Sequence, residues 1–254
     1  MKKLSMWRVM WAGAILGALV VGMASRANAQ TAEEIAANSI KAQGGREALT
    51  GLKALERQGD VAVDGAFGQM EGTVKEVIVP GKKAYRALDL AVFVQTDGWN
   101  GETAWRDGMM GLQELEGDEA AQIKQSVELN PFLNMGEAKL EKLDDETVDD
   151  VEYYVVEMTG EGRPPIKLYV DKESNQIKRT TLKQNNPQFG EVEIAVEIGG
   201  YEQFGPVKLP TTNKATIGEI LEIDTTYTET KVNGDVDQAI FEMPKDEPAE
   251  ESAN

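Results

Sequence analysis

The sequence predicts an α+β protein, mainly β, whose strongly curved antiparallel sheet forms a half-open β-barrel with a helical lid or plug. Three observations favour this fold class. From Gly59 onward, short segments rich in β-branched and aromatic residues are separated by Gly, Pro and Asp, as in an antiparallel sheet. One helical pattern interrupts these segments, and no repeated strand-helix-strand alternation occurs. A barrel of more than about eight strands is wider than its side chains can fill, so it tends to enclose a ligand or a helix.

The N-terminus has the pattern of a secretory signal peptide. Lys2, Lys3 and Arg8 precede an apolar run at 9–23, and the small-x-small site Ala-Asn-Ala follows at 27–29. The apolar run is shorter than the about 20 residues that a membrane-spanning helix needs. We therefore expect cleavage after Ala29 and export of the mature protein to the periplasm.

The predicted organisation is a signal peptide at 1–29, one half-open barrel domain at 30–244 and a disordered acidic tail at 245–254. Of the 44 acidic and 26 basic residues, cleavage removes four basic ones and no acidic one, so the mature net charge is 22 − 44 = −22. This charge repels phosphate backbones and anionic membranes, which excludes nucleic acid as a partner and favours a soluble monomer. The sequence has no Cys, so no lipidated cysteine provides a stable membrane anchor.

Three helical segments are predicted. Thr31 caps the first, whose early Glu33 and Glu34 complement the helix dipole, and Gly44-Gly45 ends it. A second short helix is predicted at 47–55. The third, at 118–129, begins at an Asp positioned to cap it and ends just before Pro131.

The strands follow from alternating polarity and from turn residues. They are predicted at 59–63, 72–79, 83–90, 92–96, 103–106, 153–159, 166–170, 177–183, 191–198, 207–211, 214–217 and 221–232. The clearest is 191–198 (EVEIAVEI), in which Val192, Ile194, Val196 and Ile198 share one face. We expect this aliphatic face to point to the interior and the glutamates to meet water.

The helix at 118–129 lies between two groups of apolar, flexible residues, with Met and Leu before it and Phe, Leu and Met after it. It is either a plug of ordinary core packing or a mobile lid over a cavity, because Met-rich surfaces serve both as gap fillers and as adaptable binding walls. Two tryptophans nearby mark either a binding mouth or a buried core. The candidate ligand-binding residues are Trp99, Trp105, Met109, Met110, Phe132, Leu133 and Met135.

Several short motifs are informative because of the order in which they occur along the chain. They are AQGGREAL at 42–49, LKAL at 52–55, VPGK at 79–82, TDG at 96–98 with Gly101 and Trp105, YYVV at 153–156, LYVD at 168–171 with QIKR at 176–179, KLP at 208–210 and FEMP at 241–244. In this order the sequence resembles the periplasmic lipoprotein-carrier and lipoprotein-receptor superfamily, often labelled outer-membrane lipoprotein-sorting proteins, as a divergent member over roughly residues 32–244.

The resemblance implies a half-open β-barrel with an apolar cavity on its concave face, a helical lid, and the acyl chains of a lipoprotein or lipid as ligand. Residues 109–135 would form the lid region. The receptor branch of that superfamily is anchored by a lipidated cysteine, which this sequence lacks, so the chain is more similar to a soluble carrier.

Residue types also limit the chemistry. The chain has no His, which excludes Ser-His-Asp triads and imidazole ligands, and it has no P-loop or dinucleotide-binding glycine pattern. The acidic cluster at 144–150 is either a solvated loop before a strand or a Ca²⁺ site. The segment from Asp171 has calcium-loop spacing at its start, but Gln176 occupies the Gly position and Leu182 the bidentate Glu position. We therefore predict that the protein binds no cofactor and no metal and that it is not an enzyme.

The sequence is consistent with three functional hypotheses. The first is a soluble periplasmic carrier or binding protein for an apolar ligand, either lipid or lipoprotein acyl chains. The second is a non-catalytic scaffold that holds another envelope protein through its acidic surface. The third, a carboxylate-based hydrolase, requires two acids that face each other across a cleft.

Overall fold

The computed structural model describes residues 30–66, 68–160, 163–186 and 190–245. The predicted signal peptide at 1–29 and all but the first residue of the predicted tail lie outside these residues. The described helices are α1 (Ala32–Ala42), α2 (Arg46–Thr50), α3 (Gly117–Gln125) and a short 3-10 helix at Gln238–Phe241. None of the described helices is long and apolar enough to cross a bilayer.

The strands make up most of the described chain. They are β1 (Leu55–Gly65), β2 (Gly68–Val79), β3 (Lys83–Asp89), β4 (Val94–Trp99), β5 (Ala104–Asp107), β6 (Gln113–Leu115), β7 (Lys139–Lys142), β8 (Glu146–Val148), β9 (Val151–Gly160), β10 (Arg163–Asp171), β11 (Ile177–Asn186), β12 (Gly190–Gly199), β13 (Glu202–Phe204), β14 (Val207–Leu209), β15 (Thr212–Ile217) and β16 (Leu221–Val232).

Fourteen of these strands form one antiparallel sheet in the order β6-β5-β4-β3-β2-β1-β16-β15-β12-β11-β10-β9-β7, with β8 paired to β9. The first and last strands of the path, β6 and β7, leave the sheet open, while β13 and β14 form a separate hairpin. The predicted fold class, a mainly β α+β protein with a strongly curved, unclosed antiparallel sheet, is confirmed.

One end of the sheet is filled by helices. Leu55 of β1 pairs with Ile78 of β2 and Val232 of β16, and this level of the sheet packs against α1, α2 and the β13–β14 hairpin in the main buried cluster. We call the face that carries Leu55 and its cross-strand partners the inward face, and this end the closed end. Leu49 and Ile35 are fully buried there, so both helices are held by apolar contact.

The opposite face of β2–β5 is covered by the C-terminal segment. Val77, Tyr85, Gly98 and Trp105 are successive cross-strand partners on this outward face. The indole Nε1 of Trp105 donates a hydrogen bond to the carbonyl of Phe241 at 2.9 Å. Gly98 lies directly beneath the indole, where any Cβ would collide with the ring. The 3-10 helix is thereby fixed against the outside of the sheet.

The helix predictions hold for α1 and need correction for the other two. Thr31 caps α1 as predicted and also forms a capping box with Glu34, and the helix ends before Gly44. The second helix stops at Thr50 and not at Leu55, because Leu55 pairs in β1 instead. The third begins at Gly117, so its N-cap is Glu116 and not Asp118, and it ends at Gln125 and not at Leu129.

Four short strands were not predicted, namely β6, β7, β8 and β13. Their sequences are charged or favour helices, as KLEK in β7 does. These segments nevertheless form strands, because each can pair with the free edge of a neighbouring strand. The acidic cluster at 144–150 contains a tight hairpin turn, in which Asp149 and Asp150 both have positive φ (50° and 64°). Asp tolerates this conformation, so the cluster connects β8 to β9.

We expect Phe132→Ala to lower the free energy of unfolding by about 3–5 kcal/mol, because removing a fully buried aromatic side chain leaves a cavity in the main cluster. Urea unfolding followed by tryptophan fluorescence measures this loss. Met110→Ala serves as the control, since Met110 is 84% exposed and its change should stay within about 0.5 kcal/mol. Equal losses in the two variants would contradict the assignment of the core.

Candidate functional site

The inward face carries an uninterrupted row of apolar side chains across seven strands. Strand pairing brings them side by side, because each is the direct cross-strand partner of the next. From β7 to β16 they are Leu140, Met158, Ile166, Leu182, Ile194, Ile217 and Leu221, which we call the apolar row. The row lies on the same face as Val63, since the register of β1 with β16 aligns this end of both strands.

The middle of the apolar row is not covered. Leu140, Met158 and Ile166 pack against the main cluster and Leu221 against a second cluster around Val61 and Val63, but Leu182, Ile194 and Ile217 belong to none of the buried clusters. All seven side chains are only half-buried. The floor of the half-barrel is therefore an apolar surface open to water.

Helix α3 lies over the inward face at the other half of the sheet. Its Ala120 and Ile123 pack on Trp99, Ala104 and Leu115. Ala120 is the only buried residue of the helix among those whose side chains are described. Gln122 reaches across to Gln184 of β11, with Nε2 3.2 Å from Oε1. The helix thus spans from β4 and β5 to the far side of the curved sheet, held by few apolar contacts.

The segment after α3 is packed differently, because it is tied to α1 by a buried polar cluster. The side-chain amide of Asn130 donates to Gln43 Oε1 at 2.6 Å and lies 3.3 Å from Ser39 Oγ, and all three residues are buried. The Asn130 Oδ1 accepts the backbone N–H of Phe132 at 2.8 Å. Arg46 donates to the carbonyl of Leu133 at 2.6 Å. This segment is a plug of the closed end.

A row of charged side chains crosses the inward face between the closed end and the open floor. Direct cross-strand pairing aligns Arg57, Glu76, Arg86, Asp97 and Arg106 on β1–β5, which we call the polar belt. These residues share the face of Leu55, two residues from Arg57 along β1.

The Arg57–Glu76 ion pair is largely buried, with side-chain exposures of 11% and 13%. The Arg57 guanidinium also stacks on the Tyr227 ring at 3.9 Å from its centroid. Burial alone would lower the pKa of Arg57, but the Glu76 carboxylate outweighs it and raises that pKa above its ordinary value. Burial, with the negative charge of Glu76, raises the pKa of Tyr227 to about 12. Arg57 and Tyr227 therefore keep their protons at neutral pH.

At the other end of the polar belt, Arg106 Nε donates to Asp97 Oδ1 at 2.6 Å. The same guanidinium reaches Glu119 of α3 at 3.2 Å, and the Glu119 side chain is 63% exposed. This ion pair joins the helix to the floor of the sheet. It is weak in energy, because exposed ion pairs contribute about 0–1 kcal/mol.

The structure separates the two predicted tryptophans. Trp99 lies on the inward face, half-buried beneath α3, with the Lys124 ammonium 4.6 Å from its ring centroid. Trp105 lies on the outward face and is 1% exposed, so it does not face the concave floor. They do not lie on a common wall, because Trp105 pairs with Gly98 while Trp99 pairs with Ala104.

The other five candidate residues fall into two places. Met109 and Met110 lie in the turn between β5 and β6 and are 81% and 84% exposed. Phe132 and Leu133 are buried in the main cluster. Phe132 and Met135 border a shallow groove of about 340 Å³ beside α1, rimmed by Glu33, Lys41 and Arg46.

The apolar row and the polar belt were not predicted as a site. Ile194 and Val196 were predicted to face the interior, which the register bears out, and this alternation was the available signal. The remaining members come from separate strands whose alignment depends on the register of the whole sheet. Arg57, Arg86 and Arg106 carry no local motif that marks them.

The acidic residues that suggested a Ca²⁺ site are used otherwise. Among the residues that the structure describes, no three Asp or Glu side chains converge to hold a metal. Asp145 binds the Lys142 and Lys172 ammonium groups at 2.6 Å and 2.9 Å. Burial alone would raise the pKa of Asp145, but hydrogen bonds from the two lysines hold that pKa below its ordinary value. This region is a surface ion-pair network.

Removing one partner of the buried ion pair tests the polar belt. We expect Glu76→Ala to lower the free energy of unfolding by about 3–5 kcal/mol, because it leaves the Arg57 guanidinium buried without a carboxylate. The matched control is Glu191→Ala, whose ion pair with Lys183 is 61% and 65% exposed and should contribute less than about 1 kcal/mol. Chemical denaturation of both variants measures the difference, and a similar loss in each would argue against a buried belt.

The fold is similar to those of known proteins, although the sequence is not. No protein-family model matches the sequence, and no curated protein sequence matches it. A LolA superfamily protein from Nitrosomonas europaea is similar in structure, with a TM-score of 0.59, 13% identity and coverage of 84% of this chain and 98% of that one.

Two further solved structures are similar. A domain described as an outer membrane lipoprotein-sorting protein domain, from Vibrio parahaemolyticus, has a TM-score of 0.55 and 11% identity and covers 82% of this chain and 94% of its own. A DUF1329 family protein from Desulfovibrio piger has a TM-score of 0.60 and 11% identity, with coverage of 84% and 98%. The chain therefore has the fold of the LolA superfamily proteins, as the resemblance of its motifs implied.

Proposed function

We propose that this protein is a soluble periplasmic carrier or binding protein that holds lipid or lipoprotein acyl chains on the apolar row. The observation that carries this proposal is the uncovered middle of the row, where Leu182, Ile194 and Ile217 face the hollow of the sheet. An apolar surface of this kind inside a curved sheet is stabilised when an apolar ligand removes it from water. Catalysis is not part of the proposal.

The dimensions of the row suit a long chain. Neighbouring strands lie about 4.8 Å apart, so the six steps from β7 to β16 span about 29 Å along the curved sheet. Each methylene that is buried contributes about 0.8 kcal/mol, so ten of them give a gross gain of about 8 kcal/mol. Part of that gain is offset by the lost freedom of the ligand. A ligand with several ordered methylenes would still bind.

Helix α3 supplies the lid in this proposal, and the plug after it does not move. The helix is held by Ala120 and Ile123, by the Glu119–Arg106 contact and by the Gln122–Gln184 hydrogen bond. Elements with few buried contacts open at low free-energy cost. The plug is instead fixed through Asn130 to α1. Within 109–135, α3 is thus the lid and the segment after it is the plug.

The N-terminal sequence and one similar structure support the proposed compartment and ligand class. The pattern at 1–29 supports export, and the similar structure from Vibrio parahaemolyticus is described as a lipoprotein-sorting domain. The open apolar floor favours a carrier over the scaffold alternative, because a scaffold that used only its exterior would need no uncovered apolar surface inside.

A charge placed in the row should reduce ligand binding. We expect Ile194→Asp to weaken binding of dansyl-aminoundecanoic acid methyl ester by more than about tenfold, because a carboxylate on the floor must be desolvated by the apolar chain. Fluorescence titration of the dansyl group measures the dissociation constant. Ala195→Asp is the matched control, since Ala195 is the next residue and points to the outward face. Equal effects, or no probe binding by the wild type, would contradict the proposal.

A tethered lid should slow ligand uptake. The chain has no Cys, so Gln122→Cys with Gln184→Cys gives the only thiol pair, which a cleavable bis-maleimide can join. We expect stopped-flow uptake of the same ester probe to slow after cross-linking and to recover after the linker is cleaved. The control joins Lys183→Cys to Glu191→Cys on the outward face. Unchanged uptake in the tethered protein would show that α3 does not gate the floor.

A further inference from the structure

Arg86 occupies the centre of the polar belt. Its cross-strand partners are Glu76 on β2 and Asp97 on β4, so Arg86 stands between the two acidic residues of the belt. It shares the inward face with Leu88, two residues further along β3, which packs against the second apolar cluster. Arg86 therefore lies where the charged row meets the apolar floor.

Both neighbouring carboxylates are already engaged by other groups. Glu76 accepts a hydrogen bond from Arg57 Nε at 2.9 Å and lies 3.4 Å from the Tyr227 hydroxyl. Asp97 accepts from Arg106 Nε at 2.6 Å and from the Gln95 amide at 3.1 Å. The belt contains three guanidinium groups and two carboxylates, and the pairing leaves Arg86 as the third cation.

Arg86 has no such partner of its own. Its Nε is buried and makes no hydrogen bond, and no carboxylate oxygen of the described residues lies within 4.0 Å of its guanidinium. A buried donor without an acceptor costs about 1–3 kcal/mol. The chain as a whole carries a net charge of −18. The charge of this unmatched cation on the concave face is therefore opposite in sign to the net charge of the protein. A planar guanidinium binds carboxylate and phosphate through paired hydrogen bonds.

We propose that Arg86 binds the anionic group, carboxylate or phosphate, of an amphiphilic ligand whose apolar chain lies on the floor of the sheet. This inference rests on the proposed function and adds a charge requirement to it. The anionic group would accept hydrogen bonds from the guanidinium that Glu76 and Asp97 leave free. The apolar part would continue past Leu88 toward Ile223 and the apolar row.

Two probes that differ in charge and by one methyl group test this inference. Dansyl-aminoundecanoic acid carries a carboxylate, and its methyl ester does not. We expect Arg86→Gln to weaken binding of the acid by roughly tenfold, the loss of one charge-assisted interaction, and to leave the ester unchanged. Arg86→Lys keeps the positive charge without the planar fork, so it should weaken acid binding less than Arg86→Gln does.

Arg179→Gln is the matched control, because Arg179 also has a buried Nε without a hydrogen bond but lies on the outward face, where this Nε is 3.3 Å from Glu197 Oε1. It should change neither dissociation constant. Circular dichroism and unfolding midpoints confirm that each variant is folded before titration. Equal effects of Arg86→Gln on acid and ester, or no effect on either, would overturn the charge requirement while the carrier function stands. Failure of wild-type protein to bind either probe would overturn both.

A final arm separates an amphiphile from a free anion. Unlabelled palmitate should displace the acid probe from wild-type protein at far lower concentration than inorganic phosphate does, because only palmitate also buries apolar surface. Displacement by phosphate at a concentration similar to that of palmitate would assign Arg86 to a free anion and would overturn the proposal of an amphiphilic ligand.

Discussion

The buried amide of Asn130 is the contact on which the interior of this protein depends. It joins Ser39 of α1 and Gln43 at the C-terminal cap of α1 to the backbone of Phe132, and so fixes helix and plug together against the sheet. A sheet of this width cannot fill its own hollow with side chains. Once the amide has positioned Phe132 in the main cluster, one end of the hollow is solid. Without that link the plug would carry unsatisfied polar groups into an apolar core, at a cost of several kcal/mol.

Because helices and the plug fill only the closed end, the apolar side chains at the other end of the hollow are left partly uncovered. The main cluster covers Val156 and Leu168, and the next cross-strand level, from Met158 through Ile194 to Leu221, is only partly covered. The transition between them is marked by charge at β1–β5. The Arg57–Glu76 pair is costly to bury on its own, but the Tyr227 ring and hydroxyl supply further contacts for both partners. The protein thus has a dry closed end, a polar boundary and an apolar floor that faces water.

Local sequence patterns sufficed for the parts of the fold that local physics determines. The N-cap Thr31 followed by two glutamates predicted the start of α1, and the bounds of β16 were predicted to the residue. Strands such as β7 could not be predicted, since their composition favours other structures and only a free sheet edge makes them strands. The site was harder still. The sequence suggests one group of Trp99 and Trp105, but Trp99 pairs with Ala104 and Trp105 with Gly98, so the two side chains lie on opposite faces of the sheet. The polar belt exists only through the register of five strands.

The lid and the polar belt share a residue, which links access to charge. Arg106 holds Asp97 within the sheet and Glu119 on α3, so closure of the helix adds a third carboxylate to the belt. With the helix closed, the three guanidinium groups face three carboxylates, one of them exposed; with it displaced, one positive charge is in excess. A ligand anion at Arg86 would restore the balance that is lost when Glu119 moves away. Short-range attraction between the ligand's anionic group and the unbalanced guanidinium in the hollow would therefore favour binding of an anionic amphiphile while the lid is open, and the apolar floor would then retain its chain.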